Sequence, residues 1–166
     1  QAYLKAPNNT NTDVFGETLS ISGDTIAVGT ILETSTTTTI INGSDLSSTN
    51  DSGTQNGAVY VFTRSGTTWS HQAYLKAPNN SNDDGFGSSV SISGDTIAVG
   101  ASGEDSTMTA IINGSDLSAT NDSGVVNGAV YVFTRTGTTW SHQAYLKAPN
   151  NSNNDEFGRS VSISGD

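Results

Sequence analysis

The sequence contains no cysteine. That rules out a disulfide framework, a thiolate metal site and a cysteine nucleophile. Basic side chains are also scarce: Lys and Arg number 6 against 16 acidic residues, giving a formal net charge of −10. Nucleic-acid binding depends on basic groups that neutralise phosphates, so no nucleic-acid partner is expected. The same imbalance disfavours anionic membranes. No apolar run approaches the length of a membrane span, so no membrane insertion is expected either. Only 13% of residues are charged and 33% hydrophobic. Such polarity alone suits a disordered chain, but here the apolar residues gather in alternating runs that disordered chains lack. No segment carries a helical period. The composition reads as short strands joined by long polar loops.

What the chain has in abundance is repetition. "QAYLKAPNN" begins at Gln1, Gln72 and Gln143, a spacing of 71 residues each time. Residues 1–71 and 72–142 are identical at 55 of 71 positions. An internal repeat of this kind means one supersecondary unit stacked on copies of itself.

Each copy reads as four strands. In the second copy they are expected around Phe86–Ser93, Thr96–Gly100, Gly128–Arg135 and Trp140–Ala148. Gly94-Asp95 suits a tight hairpin turn between the first two. Pro149 cannot donate to a ladder and ends the fourth. Four antiparallel strands at a fixed interval indicate an all-β fold of β-propeller blades. The 71-residue period exceeds the ordinary blade because of one long connection, Ala101 to Asn127. The expected division is residues 1–9 as the last strand of a preceding blade, 10–80 and 81–151 as two blades, and 152–166 as the first strand of a following one. The chain is then a partial propeller, either a segment of a longer array or a unit whose copies join end to end.

Phe86-Gly87, Gly100-Ala101 and "GAVYVF" together resemble the FG-GAP repeat, the blade unit of integrin α-subunit propellers and of many bacterial surface proteins. Phe15-Gly16 and Phe157-Gly158 repeat the first element, and Gly29-Thr30 is a weaker form of the second. The resemblance covers the whole chain. It implies a propeller on an extracellular or cell-surface protein, used for adhesion or as a scaffold, with other blades as its packing partners. The family's Ca²⁺ loop between the first two strands does not carry over, since "SGDT" is too short to surround a cation that takes six to eight oxygens.

Chain direction puts the long connections and the inter-blade loops on one face. That face is rich in Asp and Asn, and the resemblance implies that it meets a protein or glycan ligand. Asp84, Glu104 and Asp105, with Asp13 and Glu33 in the first copy, are hard oxygen donors suited to Ca²⁺ if they converge. Otherwise they are solvated turn-forming acids. Asn-x-Ser/Thr triplets fall at Asn8, Asn42, Asn50, Asn79, Asn113, Asn121 and Asn150, either as glycan acceptors or as chance triplets in an Asn- and Ser-rich chain.

Ile111, Ile112 and Leu117 flank Asn113-Gly114, a strong hairpin signal. They form either a small hairpin folded on its own blade or a contact with a neighbouring blade or molecule. The repeated Tyr, Phe and Trp residues fit packing between blades. His71 and His142 read as surface residues of the outermost strand. No nucleophile, base and orienting group share a defined context, and near-identical copies are a poor basis for an active site, so the chain is not expected to be an enzyme. Two functions remain in view: an extracellular adhesive repeat protein, and a self-assembling filament or sheath subunit whose copies complement one another's strands.

Overall fold

The computed structural model describes residues 2–165. It is all-β, with no helix among the described residues. The first copy contains β1 (Thr18–Ser22), β2 (Thr25–Thr30), β3 (Ile41–Asn42), β4 (Ala58–Ser65) and β5 (Thr68–Leu75). The second contains β6 (Phe86–Ser93), β7 (Thr96–Ala101), β8 (Ile112–Asn113), β9 (Ala129–Thr136) and β10 (Thr139–Leu146). The two antiparallel sheets have orders β1-β2-β4-β5-β3 and β6-β7-β9-β10-β8. The expected hairpins are present: Ser22 pairs with Thr25 and Ser93 with Thr96 around Gly23 and Gly94, both at positive φ.

Both faces of a blade are apolar because successive residues of a strand point to opposite sides. In "AVYVF", Val59 and Val61 point one way while Tyr60 and Phe62 point the other. The back of the first sheet (Val59, Val61, Ala73, Leu75) shares one core with the front of the second (Phe86, Val99, Tyr131, Phe133, Tyr145). Aromatic rings fill the front faces edge to face, as Phe86 and Tyr145 do against Tyr131, with centroids 5.4 and 5.2 Å apart.

The polar side of the inner strand has an equally defined task. Ser20 Oγ accepts the backbone N–H of Ile92, and Ser22 Oγ that of Gly94, both at 3.1 Å. Thr18 Oγ1 donates to the carbonyl of Gly87 at 2.7 Å. Hydroxyls of one blade therefore satisfy the free edge of the next blade's inner strand, which would otherwise be left without partners. Ser91, Ser93 and Ser89 repeat this stitching on Ile163, Gly165 and Gly158.

Three features differ from the expectation. Asn113-Gly114 forms no two-residue hairpin. Ile112 and Asn113 instead add a short fifth strand to the outer edge, opposite Tyr145 and Ala144, as Ile41 and Asn42 do opposite Tyr74 and Ala73. The unpaired edge of the fourth strand is the stronger attractor. His142 is not a surface residue but only 8% exposed. It packs edge-on against Phe133 and Tyr131, and its Nδ1 meets the carbonyl of Gly114 at 2.9 Å. The added strand covers it.

Residues 3–6 and 159–164, expected as strands, form none and pair with no strand among the described residues. Phe157 makes only an isolated parallel bridge to Gly128, matching Phe86 on Gly57.

Candidate functional site

The long connection in each copy folds back through hydrogen bonds to its own backbone and to the next copy. Asp83 N donates to the carbonyl of Thr54 at 2.7 Å and Gly85 N to that of Gln55 at 2.9 Å. Asn154 and Glu156 repeat these bonds on Val125 and Val126. The chain entering a blade is thereby laced to the end of the preceding insertion.

Between these laced segments lies a hollow of about 580 Å³ on the loop face, within the range of ordinary binding clefts. Glu17, Ser88 and Arg159, which line it, occupy one position in the three copies. Gln55 and Val126 are another such set, Ile31 and Ser102 a third. Asp83 stands where the other copies have Thr12 and Asn154; Gly85 and Glu156 stand where the first has Val14. Gly103 replaces Leu32. All eleven lining residues thus fall at positions where the copies differ, though 55 of 71 positions are the same in the two full copies. The contrast with two other hollows is sharp. None of the seven residues around the one at Asn42 and Gln72, and only Thr39 of nine around the one at Pro78 and Trp140, is at a differing position. Exposure does not explain this, because exposed turn residues such as Gly66-Thr67 and Asn113–Asp116 are unchanged between copies.

The backbone around the hollow is unusual as well. Seven non-glycine residues have positive φ among the described residues, and all sit at three repeat positions: Thr12, Asp83 and Asn154; Val14 and Glu156; Gln55 and Val126. Valine at φ +52 is a strained choice that holds only where surrounding bonds fix the chain. Glu156 pairs with Arg159 across one turn at 2.5 Å, leaving Glu17 and Asp83 as acids with no ion-pair partner among the described residues.

The acids singled out in the sequence are placed as follows. Glu104 is fully buried, and its carboxylate accepts from Lys147 at 2.8 Å, Tyr145 at 2.8 Å, Asn79 at 3.1 Å and the amide of Ser106 at 3.1 Å. Glu33 pairs with Lys76 at 3.1 Å in the same way. Burial pushes the Glu33 carboxyl up and the Lys76 amine down, and the attraction between them opposes both shifts. Asp84 and Asp13 are buried and each caps a turn, accepting from Ser81 N and Thr10 N at 2.8 Å. Burial raises Asp84 to about 7, with Glu104, Asp122 and Asp105 adding repulsion. Asp105 accepts the amide of Val126 at 2.6 Å and so braces the strained residue. Among the described residues, no three His, Asp or Glu side chains gather closely enough to share a metal ion.

The Asn-x-Ser/Thr residues divide by environment. Asn113, Asn121 and Asn150 are exposed, and Asn50 is exposed while its side-chain oxygen holds Thr36 and Ser52. The amides of Asn8, Asn42 and Asn79 are engaged with Thr49, Trp140 and Glu104. Ile111 is 61% exposed, Ile112 half-buried and Leu117 buried in the shared core. Sequence reasoning missed Lys147 and Lys76 as partners of the acids, since each lies 43 residues from its glutamate. It also missed the groove, although comparing the copies position by position carries that signal.

Stacked antiparallel sheets of four long strands and a short fifth, each inner strand stitched to the next, define a repeat protein of the propeller type. The FG-GAP repeat profile matches residues 1–62, 69–133 and 140–166, and the chain belongs to that family. The structure gives the family's signature a reason: the carbonyl of Gly87 in Phe-Gly lies where a Cβ on Gly29 would fall, 2.4 Å from it, and Gly158 stands likewise against Gly100. No curated protein matches the chain. Among the described residues, no helix is long and apolar enough to cross a membrane.

Proposed function

We propose that the chain is a non-enzymatic recognition module of an extracellular or cell-surface protein, and that it holds its ligand in the groove on the acidic loop face. The observation that carries this reading is the coincidence of groove and divergence. The hydroxyls that stitch one blade to the next are shared between the copies, whereas every residue lining this hollow is at a position where they differ. Strained backbone at the same positions supports the same reading. The lining includes no aromatic ring on which a sugar could stack, which favours a polar polypeptide segment over a glycan.

The test uses substitutions already tolerated elsewhere in the chain. Glu17→Ser, Ile31→Ser and Gln55→Val rewrite the first copy's side of the groove with the second copy's residues. The whole chain and this variant are applied to arrays of extracellular proteins and of glycans. Binding by the native chain that weakens about tenfold or more in the variant, at unchanged melting temperature, supports the proposal. Equal binding by both, or none at micromolar concentration, refutes it.

A further inference from the structure

The second blade gathers a buried amine, a buried carboxylate and a half-buried primary amide in one cluster. Lys147 Nζ donates to Glu104 Oε2 at 2.8 Å and to the carbonyl of Gly128 at 2.6 Å. Asn79 Nδ2 donates to the other oxygen of the same carboxylate at 3.1 Å. The Tyr131 hydroxyl donates to Asn79 Oδ1 at 2.8 Å, and that of Tyr145 to Glu104 Oε1 at 2.8 Å. The Lys147 and Glu104 side chains are 0% exposed.

From this arrangement we propose that Asn79 and Lys147 condense to an intramolecular isopeptide bond, with Glu104 carrying the proton and Tyr131 steadying the oxyanion. The proton on Lys147 passes to Glu104 along their hydrogen bond, leaving a neutral amine. Its lone pair attacks Asn79 Cγ, and the electron pair displaced from the carbonyl rests on Oδ1, where the Tyr131 hydroxyl already donates. The proton held by Glu104 passes to Nδ2, which leaves as ammonia, and the amine's second proton takes its place on Glu104, to be carried off when ammonia departs as ammonium. One C–N bond forms, one breaks, and the carboxylate and amide oxygens are unchanged. Nothing is oxidised or reduced, and no outside reagent takes part. Fixing both reactants on one carboxylate supplies the proximity that a slow amide exchange needs, and the full burial of Lys147 and Glu104 keeps bulk water off the amine and the acid.

The first copy supplies an internal contrast. Lys76 and Glu33 are paired and Tyr60 still holds Asn8 Oδ1 at 2.7 Å, but Asn8 Nδ2 turns away to Thr49 at 3.3 Å. One Glu33 oxygen is left without a partner. The amide nitrogen is off the acid, so no bond forms there. The linkage in the second copy joins the segment entering the blade to its outer strand and closes residues 79–147 into a covalent ring.

The experiment is mass spectrometry of the intact chain and of its tryptic digest. The expected mass is below that of the sequence by one ammonia. The digest should yield one branched species joining residues 77–135 to 136–159, uncleaved after Lys147. Lys147→Arg retains the charge but cannot attack, and should restore the full mass; Glu104→Gln should do the same, with circular dichroism confirming that each variant is folded. Cleavage after Lys147 in the native chain with no branched species overturns the proposal. So does an ammonia loss that maps to cyclised Gln1 or to a succinimide at Asn113-Gly114.

Discussion

The side-chain amide of Asn42 pairs with both backbone groups of Trp140 in the next blade, donating to its carbonyl at 3.1 Å and accepting from its N–H at 2.8 Å. Beside it, Gln72 Oε1 accepts from Trp140 Nε1 at 2.9 Å and from Arg135 at 3.2 Å. The short added strand of one blade is thus a clasp on the outer edge of its neighbour. Asn42→Ala leaves both Trp140 groups unmatched and should cost about 1–2 kcal/mol in urea unfolding. Asn113→Ala removes the same residue from an exposed position and should stay within about 0.5 kcal/mol. Equal costs would show that the clasp carries no coupling.

A second expectation concerns the closest approach of backbone to backbone. A Cβ on Gly29 would lie 2.4 Å from the Gly87 carbonyl oxygen and 2.1 Å from Thr18 Oγ1. Gly29→Ala must push the blades apart and should destabilise by roughly 3 kcal/mol. Gly66 also resists substitution, but only through its φ of +61, with open space around it. Gly66→Ala should therefore cost about 1 kcal/mol. Chemical denaturation of the two variants ranks them, and the reverse order would remove steric contact as the reason for the glycine.

Strain beside the groove predicts a stabilising change. Val14 has φ +52 and is 52% exposed, so it gives little packing in return. The second copy has Gly85 at this position, φ +62. Val14→Gly should raise stability by about 0.5–1 kcal/mol, the strain relieved exceeding the added freedom of the unfolded chain. A lower melting temperature would mean that the valine side chain has a packing role here.

Stability should also depend on pH in a defined direction. Asp84, raised to about 7 from 3.8, favours the folded state most when protonated. Its contribution is complete below about pH 4 and is lost as pH rises through 7. His142 works the other way. Burial lowers its pKa from 6.5, so its contribution is present above that value and lost as pH falls. Asp84→Asn should leave melting near the native value at pH 4 and raise stability increasingly above it, by on the order of 2–4 kcal/mol at pH 8. Parallel melting curves for the two proteins from pH 5 to 8 would contradict the assignment.

The strands and their stacking were legible because alternation with period two is a local property. "SISGDTIAVG" states its turn, its two faces and its partner within ten residues. The buried polar chemistry was not legible in the same way. Nothing near Glu104 shows that Lys147 will meet it, or that Asn79 will reach in from the preceding connection. The serines of "SISG" alternate with its apolar residues without naming a partner, and only the neighbouring blade shows that Ser20 and Ser22 satisfy its edge. His142 misled for a related reason: the strand that covers it arrives from an insertion whose pairing no local pattern announces. The groove is a further case, since each differing position is unremarked alone and gains meaning when the fold brings them to one place.

The division between shared and differing positions bears on how such a chain can change over generations. The serine stitches, the glycine contact and the Asn42 clasp are spelled alike in every full copy. A tandem duplication or deletion of one unit would therefore create a seam that already fits. The residues around the hollow are among those such an event reshuffles, so recombination can rewrite the lining of the groove while leaving the folding instructions intact.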